Sequence, residues 1–170
     1  GEGTVAAPAA GAVAARVELD TMTAEVVERI RVDAEFASLV AAQLGLPGGT
    51  ALRTVEELIE NDEDSAVEFK STARWDIRES AKSKAMEDAI VKTVAGFLNA
   101  EGGSLLIGVG SDRVTVGLDQ DYELVKPRNG DGFVNWLTTH LIGALGHPAV
   151  MRTRARIVLH DACEVCRVDV

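Results

Sequence analysis

The chain has 170 residues, 46% hydrophobic and 26% charged, which is enough for one globular core with length to spare and excludes a chain disordered throughout. A net charge of −10 would argue against nucleic acid, but residues 1–69 hold fourteen acids against four Lys and Arg, whereas residues 70–170 hold thirteen of each. No apolar run reaches the length of a membrane span, the opening lacks a basic leader, and Cys163 and Cys166 lie too close together for a disulfide framework, so a reducing, cytoplasmic setting without a membrane partner is expected.

The opening "GEGTVAAPAAGAVAA" is Ala/Gly-rich and reads as a linker. From Thr23 to Leu44, Val26, Val27, Ile30, Ala34, Leu39, Val40 and Leu44 approximate a helical stripe among acids, and "GLPGG" stops it. "TVEELIE" follows, where Thr54 and Glu57 have capping-box spacing for a short helix over Thr54 to Glu60. Ser65 to Ser71 reads as a strand on which Val67 and Phe69 point into a core while Glu68 and Lys70 share the other face. The polar "RWDIRESAKSKAMEDA" is expected to be a loop that carries Arg74, Arg78, Lys82 and Lys84. Met86 to Ala100 is patterned as a helix and stops at Gly102-Gly103. "SLLIGV", the turn "GSDR" and "VTVGLD" suggest a hairpin, "GDGFVNWLTTHLIGALG" restores helical periodicity, and "RTRARIVL" and "EVCRVDV" close the chain as strands. This order predicts an α+β fold, a mixed sheet with packed helices, in which an amino-terminal helical segment over residues 1–53 precedes the main domain at 54–170.

Several side chains carry candidate chemistry. Glu63 and Glu68 are carboxylates of the kind that bind hard cations such as Mg²⁺ or Mn²⁺, and Lys70 would neutralise a phosphate beside them. The plain alternative is a solvated acidic loop with one surface ion pair. Arg152, Arg154 and Arg156 alternate, which on a strand puts three guanidiniums on one face for phosphate contacts; the plain alternative is solubilising charge on an exposed strand. Trp75, beside the basic loop, could stack on a base, and Trp136 fits its helix stripe as core. His160, Cys163 and Cys166 suggest zinc, yet Cys163 and Cys166 would face opposite sides of a strand. His140 and His147 lack catalytic company, and no phosphate loop with its lysine is present, so ATP has no support.

"VEFK", then "IVKTVAGFLNAEGGSLLIGV" and "VGLD", in this order and spacing, resemble the Schlafen AlbA-type domain over roughly residues 54–170. The resemblance implies a Schlafen core-like lobe. Bacterial members are described as DNA-binding or regulatory modules, whereas animal Schlafen proteins cleave transfer and ribosomal RNA at a metal-dependent site of three carboxylates. Its first two acids match Glu63 and Glu68, and the third, in the turn after the "IGV" strand, maps onto Asp112. Those nucleases pair two lobes around RNA, so a single lobe would need a homodimer to form a similar groove. Two expectations follow. One is a metal-dependent endoribonuclease using Glu63, Glu68 and Asp112 with Lys70; the other is a non-catalytic DNA-binding, regulatory or protein-interaction module.

Overall fold

The computed structural model describes residues 22–30, 33–44, 53–60 and 66–170. The acidic amino-terminal stretch forms two helices in place of the single one expected: α1 over residues 22–30 and α2 over Ala34–Gln43. Asp33 marks the break. Its Oδ1 accepts the backbone N–H of Phe36 at 2.9 Å, so a side chain takes up a donor that a continuing helix would have bonded.

Helix α3 (Val55–Glu60) is closed by the expected reciprocal cap. Glu57 accepts from the Thr54 N–H at 2.7 Å, and Thr54 Oγ1 accepts from the Glu57 N–H at 3.2 Å. Its Val55, Leu58 and Ile59 are buried against Val67, Phe69, Leu106, Val109 and Val165, which lie on one face of the sheet and its continuation.

That sheet has four strands in the order β1-β4-β6-β5, namely β1 (Val67–Lys70), β4 (Ser104–Ile107), β6 (Cys163–Asp169) and β5 (Arg154–His160). β1 runs parallel to β4, and the other two pairings are antiparallel. The parallel pair needs a crossover. It is supplied by a two-stranded hairpin, β2 (Trp75–Asp76) with β3 (Ala81–Lys82), followed by helix α4 (Lys84–Asn99). The stretch expected as a loop therefore holds two short strands and the first turn of α4.

Helix α4 buries Ile90, Val94 and Phe97 at helical spacing. It packs with α6 (Gly130–Leu145), which buries Phe133, Leu137 and Leu141, on the second face of the sheet, against Leu105, Ile107, Cys166 and Val168. The middle strand β4 is thus covered on both sides and reads as an unbroken apolar run. Gly103 admits it between α4 and β1: a Cβ there would fall 2.6 Å from the Phe97 ring and 2.7 Å from the Ala66 carbonyl oxygen. Two one-turn helices, α5 (Asp119–Tyr122) and α7 (His147–Val150), bracket α6.

The hairpin expected after β4 is reduced to one bridge, between Val109 and Thr115. Gly108 and Gly117, at φ 98° and 81°, take the chain out of the ladder before a second strand can form. The closing hairpin does form. Asp161 and Ala162, both at positive φ (49° and 61°), make its two-residue turn. Among the described residues no helix is long and apolar enough to cross a membrane.

Candidate nucleic-acid interface

Strand β1 lies at an edge of the sheet and alternates as expected. Val67 and Phe69 are buried, and Glu68 and Lys70 are half-buried on the other face. Register places Glu68 beside Leu105 and Lys70 beside Ile107, so the pair sits at the rim of the face that α4 and α6 cover. The Lys70 ammonium donates to Glu68 Oε1. The Lys70 carbonyl accepts from the N–H groups of Gly108, at 2.8 Å, and Val109, at 3.3 Å, which ties the following turn to the end of β1.

Asp112 is exposed at that turn, and its Oδ1 accepts from the Val114 N–H at 3.2 Å. The turn is tight enough that a Cβ on Gly110 would come 2.4 Å from the same oxygen. Asp112 thus serves the local backbone. Glu63 lies outside the described residues, and among those described no three His, Cys, Asp or Glu are grouped to hold a metal. Of the three expected carboxylates, Glu68 thus faces Lys70 and Asp112 faces the Val114 N–H.

Of the four cations of the hairpin region, Arg74 is a core residue. It is buried; its Nε donates to Glu87 Oε1 at 2.9 Å, Nη1 donates to the Leu124 carbonyl, and the guanidinium lies 4.3 Å from the centroid of the Trp136 ring. Burial pushes the Glu87 carboxyl up, but the hydrogen bond from Arg74 and the charges of Lys82 and Arg74 outweigh it and hold the group below its usual range. Asp121, fully buried, completes the arrangement by accepting from the Ala73 and Arg74 N–H groups at 2.9 and 2.8 Å. Lys82 is 3.5 Å from Glu87, and Lys84 is 2.7 Å from Asp88. Arg78 is exposed, without a side-chain ion pair among the described residues, and Trp75 is half-buried beside it in the hairpin. Trp136 packs against the core.

The arginine strand divides likewise. Arg154 and Arg156 share a face of β5, whereas Arg152 stands ahead of the strand in the turn after α7, where its N–H bonds to the Ala149 carbonyl. Arg156 Nη1 lies 2.9 Å from Oδ2 of the fully buried Asp169. The other oxygen of Asp169 takes Arg167 Nε at 2.8 Å and the Ser104 hydroxyl at 2.5 Å, and Arg167 also donates to the Arg53 carbonyl. One carboxylate therefore faces two guanidiniums. Arg152 and Arg154 add exposed positive charge with no ion pair among the described residues. A reading of exposed arginines alone misses Arg167, Asp169 and Ser104; the signal was Arg167 and Asp169 two apart inside the apolar alternation "VCRVDV".

The two basic groups lie at opposite ends of the sheet. Arg154 pairs with Asp169, which faces Ser104 where β4 begins, while the hairpin follows Lys70 where β1 ends. His160 and Cys163 are cross-strand neighbours, with His160 Nδ1 2.8 Å from Thr115 Oγ1. Cys166 is buried three positions on, and burial pushes its thiol up to about 12.

Residues 63–132 match the family described as Schlafen, AlbA_2. No curated protein matches the chain. The family match supports nucleic-acid binding and goes no further toward an activity.

Proposed function

The chain carries a Schlafen AlbA_2-type domain, and from that premise we propose that it is a nucleic-acid-binding module whose phosphate contacts are Arg152 and Arg154. The observation that carries this reading is the charge balance at the start of β5. Asp169 is shared by Arg156 and Arg167, so positive charge remains there even before the two exposed arginines are counted. In such a setting the guanidiniums release counterions when they meet phosphate, and affinity falls steeply with salt. Arg156 supports the field from within and is left out of the contact set, because it already faces Oδ2 of the buried Asp169, whose other oxygen is held by Arg167.

The test is the double variant Arg152→Ala/Arg154→Ala, titrated with a generic RNA hairpin and a DNA duplex over a salt series. Weaker binding to both, with the slope of log K against log salt shallower by about 2, is the expected result. Unchanged affinity and slope would remove this end of the sheet from the interface. Arg78 and Lys82, at the far end, are a second and separable contact area for the same assay.

A second reading, metal-dependent cleavage of RNA in the cytoplasm by Glu63, Glu68 and Asp112 with Lys70, is favoured by one observation: the Glu68–Lys70 pair is held at the sheet rim, next to the start of the turn that carries Asp112. Cleavage of structured RNA in Mg²⁺ or Mn²⁺ that is lost in Glu68→Gln would support it. No cleavage by the unaltered chain in either metal would leave the binding module alone.

A further inference from the structure

The groove between α4 and α6 holds an imidazole with an unmet hydrogen bond. His140 lines it, and its Nε2 is buried without a hydrogen-bond partner among the described residues. Stacking limits how the ring can turn to find one. It lies on Trp136 with centroids 5.4 Å apart and planes 17° from parallel, and Trp136 is itself held by the Arg74 guanidinium. A buried polar atom left without a partner is costly, and in the wall of an open groove a bound ligand can supply the missing bond.

The same groove, about 540 Å³, carries a net positive charge. Lys84 donates to both oxygens of Asp88, at 2.7 and 2.9 Å, so these two cancel. Lys92, exposed one turn beyond Asp88, has no ion pair among the described residues. Thr139 has committed its hydroxyl proton to the Asn135 carbonyl at 2.9 Å, which leaves its oxygen as an acceptor. Between these groups Val91, Gly143 and Ala144 leave a stretch without charge, and a Cβ on Gly143 would meet nothing within 4 Å. The groove thus suits an anion attached to a body that has hydroxyl donors and an uncharged surface.

We propose that this groove binds the phosphate monoester of a nucleoside, as a free mononucleotide or as the terminal nucleotide of a strand, with its phosphate between Lys92 and His140. The imidazole favours phosphate over sulfate. A monoester has its second ionisation near about pH 6, so it can accept from Lys92 and either accept from or donate to Nε2, whichever tautomer the ring adopts, whereas sulfate only accepts. The volume exceeds that of a bare ion, which leaves Val91 and Gly143 to face the nucleoside and Thr139 to accept from a ribose hydroxyl. The site shares no residue with Arg152 and Arg154 and stands apart from their contacts.

Isothermal titration calorimetry of the full chain with adenosine monophosphate, sulfate and adenosine tests this. Adenosine monophosphate is expected to bind, with sulfate and adenosine each weaker by about tenfold or more. Lys92→Ala, at an exposed position, should weaken the monophosphate about tenfold with the melting temperature unchanged, and Gly143→Phe should abolish binding by filling the groove. The His140 Nε2 resonance should move on adding the monophosphate, which a ring that only packs on Trp136 would not do. A short RNA with a terminal phosphate that binds more tightly than the same RNA without it, by a margin lost in Lys92→Ala, would assign the strand end; no such margin while the monophosphate binds would assign the free nucleotide. Arg152→Ala/Arg154→Ala should leave the monophosphate affinity unchanged, so this site and the arginines of β5 fail separately. No binding at millimolar monophosphate, binding no tighter than that of sulfate, binding indifferent to both Lys92→Ala and Gly143→Phe, or an unmoved Nε2 resonance would overturn the proposal.

Discussion

Arg74 and Glu87 show why residue roles in a polar stretch are hard to read from sequence. Both stand among "RWDIRESAKSKAMEDA", where nothing in the string separates them from exposed Arg78 and Glu79. What decides is three-dimensional: Trp136, Leu124 and Asp121 arrive from far along the chain to enclose Arg74, and Glu87 follows its charge. Sequence alternation did find Glu68 and Lys70, because a two-residue period needs no distant partner. Replacing Glu87 by Gln leaves a buried guanidinium without its counter-charge, which costs roughly 3 kcal/mol at neutral pH. The folded-state carboxyl is held below its ordinary value of 4.5, so its contribution is fully present above that value and fades as pH falls through the lowered one. Urea titrations should therefore show the two proteins far apart at pH 7 and converging below about pH 4. Asp121 works in the opposite sense. Burial raises its carboxyl in spite of the backbone N–H groups it accepts, so its contribution is largest below its ordinary 3.8 and declines as pH rises through the raised value. It blunts the acid loss common to both proteins.

At the scale of elements, what local chemistry dictates was legible. The cap of α3, the α6 stripe and the two closing strands stand where periodicity and turn residues put them. The errors fell where a single residue or a glycine overrode a longer pattern. Asp33 divides an apolar stripe that looked continuous, the polar first turn of α4 hides its start at Lys84, and Gly108 and Gly117 dissolve a hairpin that "VTV" seemed to promise. Helix α3 is only six residues long, so its cap carries more weight than in a longer helix. Thr54→Ala is expected to lower unfolding free energy by about 1 kcal/mol, measured by thermal or urea denaturation. Loss of α3 packing should follow, seen as faster amide exchange at Leu58 and Ile59. No change in either measurement would mean that burial of Val55, Leu58 and Ile59 holds the helix without its cap.

Over the whole molecule, the acidic excess belongs to residues 1–69, and exposed Arg152 and Arg154 to the end of the sheet where β5 begins. Surface charges beyond about 8 Å are largely screened at physiological salt, so the amino-terminal acids influence phosphate binding only where they come near it. Helix α3, which carries Glu56, Glu57 and Glu60, lies on the same sheet face as Arg154 and Arg156, whose strand it touches. Removal of residues 1–52 leaves α3 in place but takes away the other acidic helices. Tighter binding of a generic RNA hairpin by the shortened chain, most clearly at low salt, is the expected outcome. Equal affinity across the salt series would show that those helices take no part in phosphate binding.

The strand order has a consequence for how the chain is made. β6 lies between β4 and β5, yet it is synthesised after both, and Ser104 waits 65 residues for Asp169. At about 5–20 residues per second, β4 spends roughly 3–13 s on the ribosome paired on one side only, its apolar edge open to other chains. Within the four-stranded sheet only β5 and β6, joined by a two-residue turn, can meet at once. The β5–β6 hairpin must then slot in beside β4, as the paired bonds between Gly103 and Val170 record. Vectorial synthesis therefore gives the amino-terminal half no head start, and the yield of folded protein depends on shielding β4 until its partner emerges.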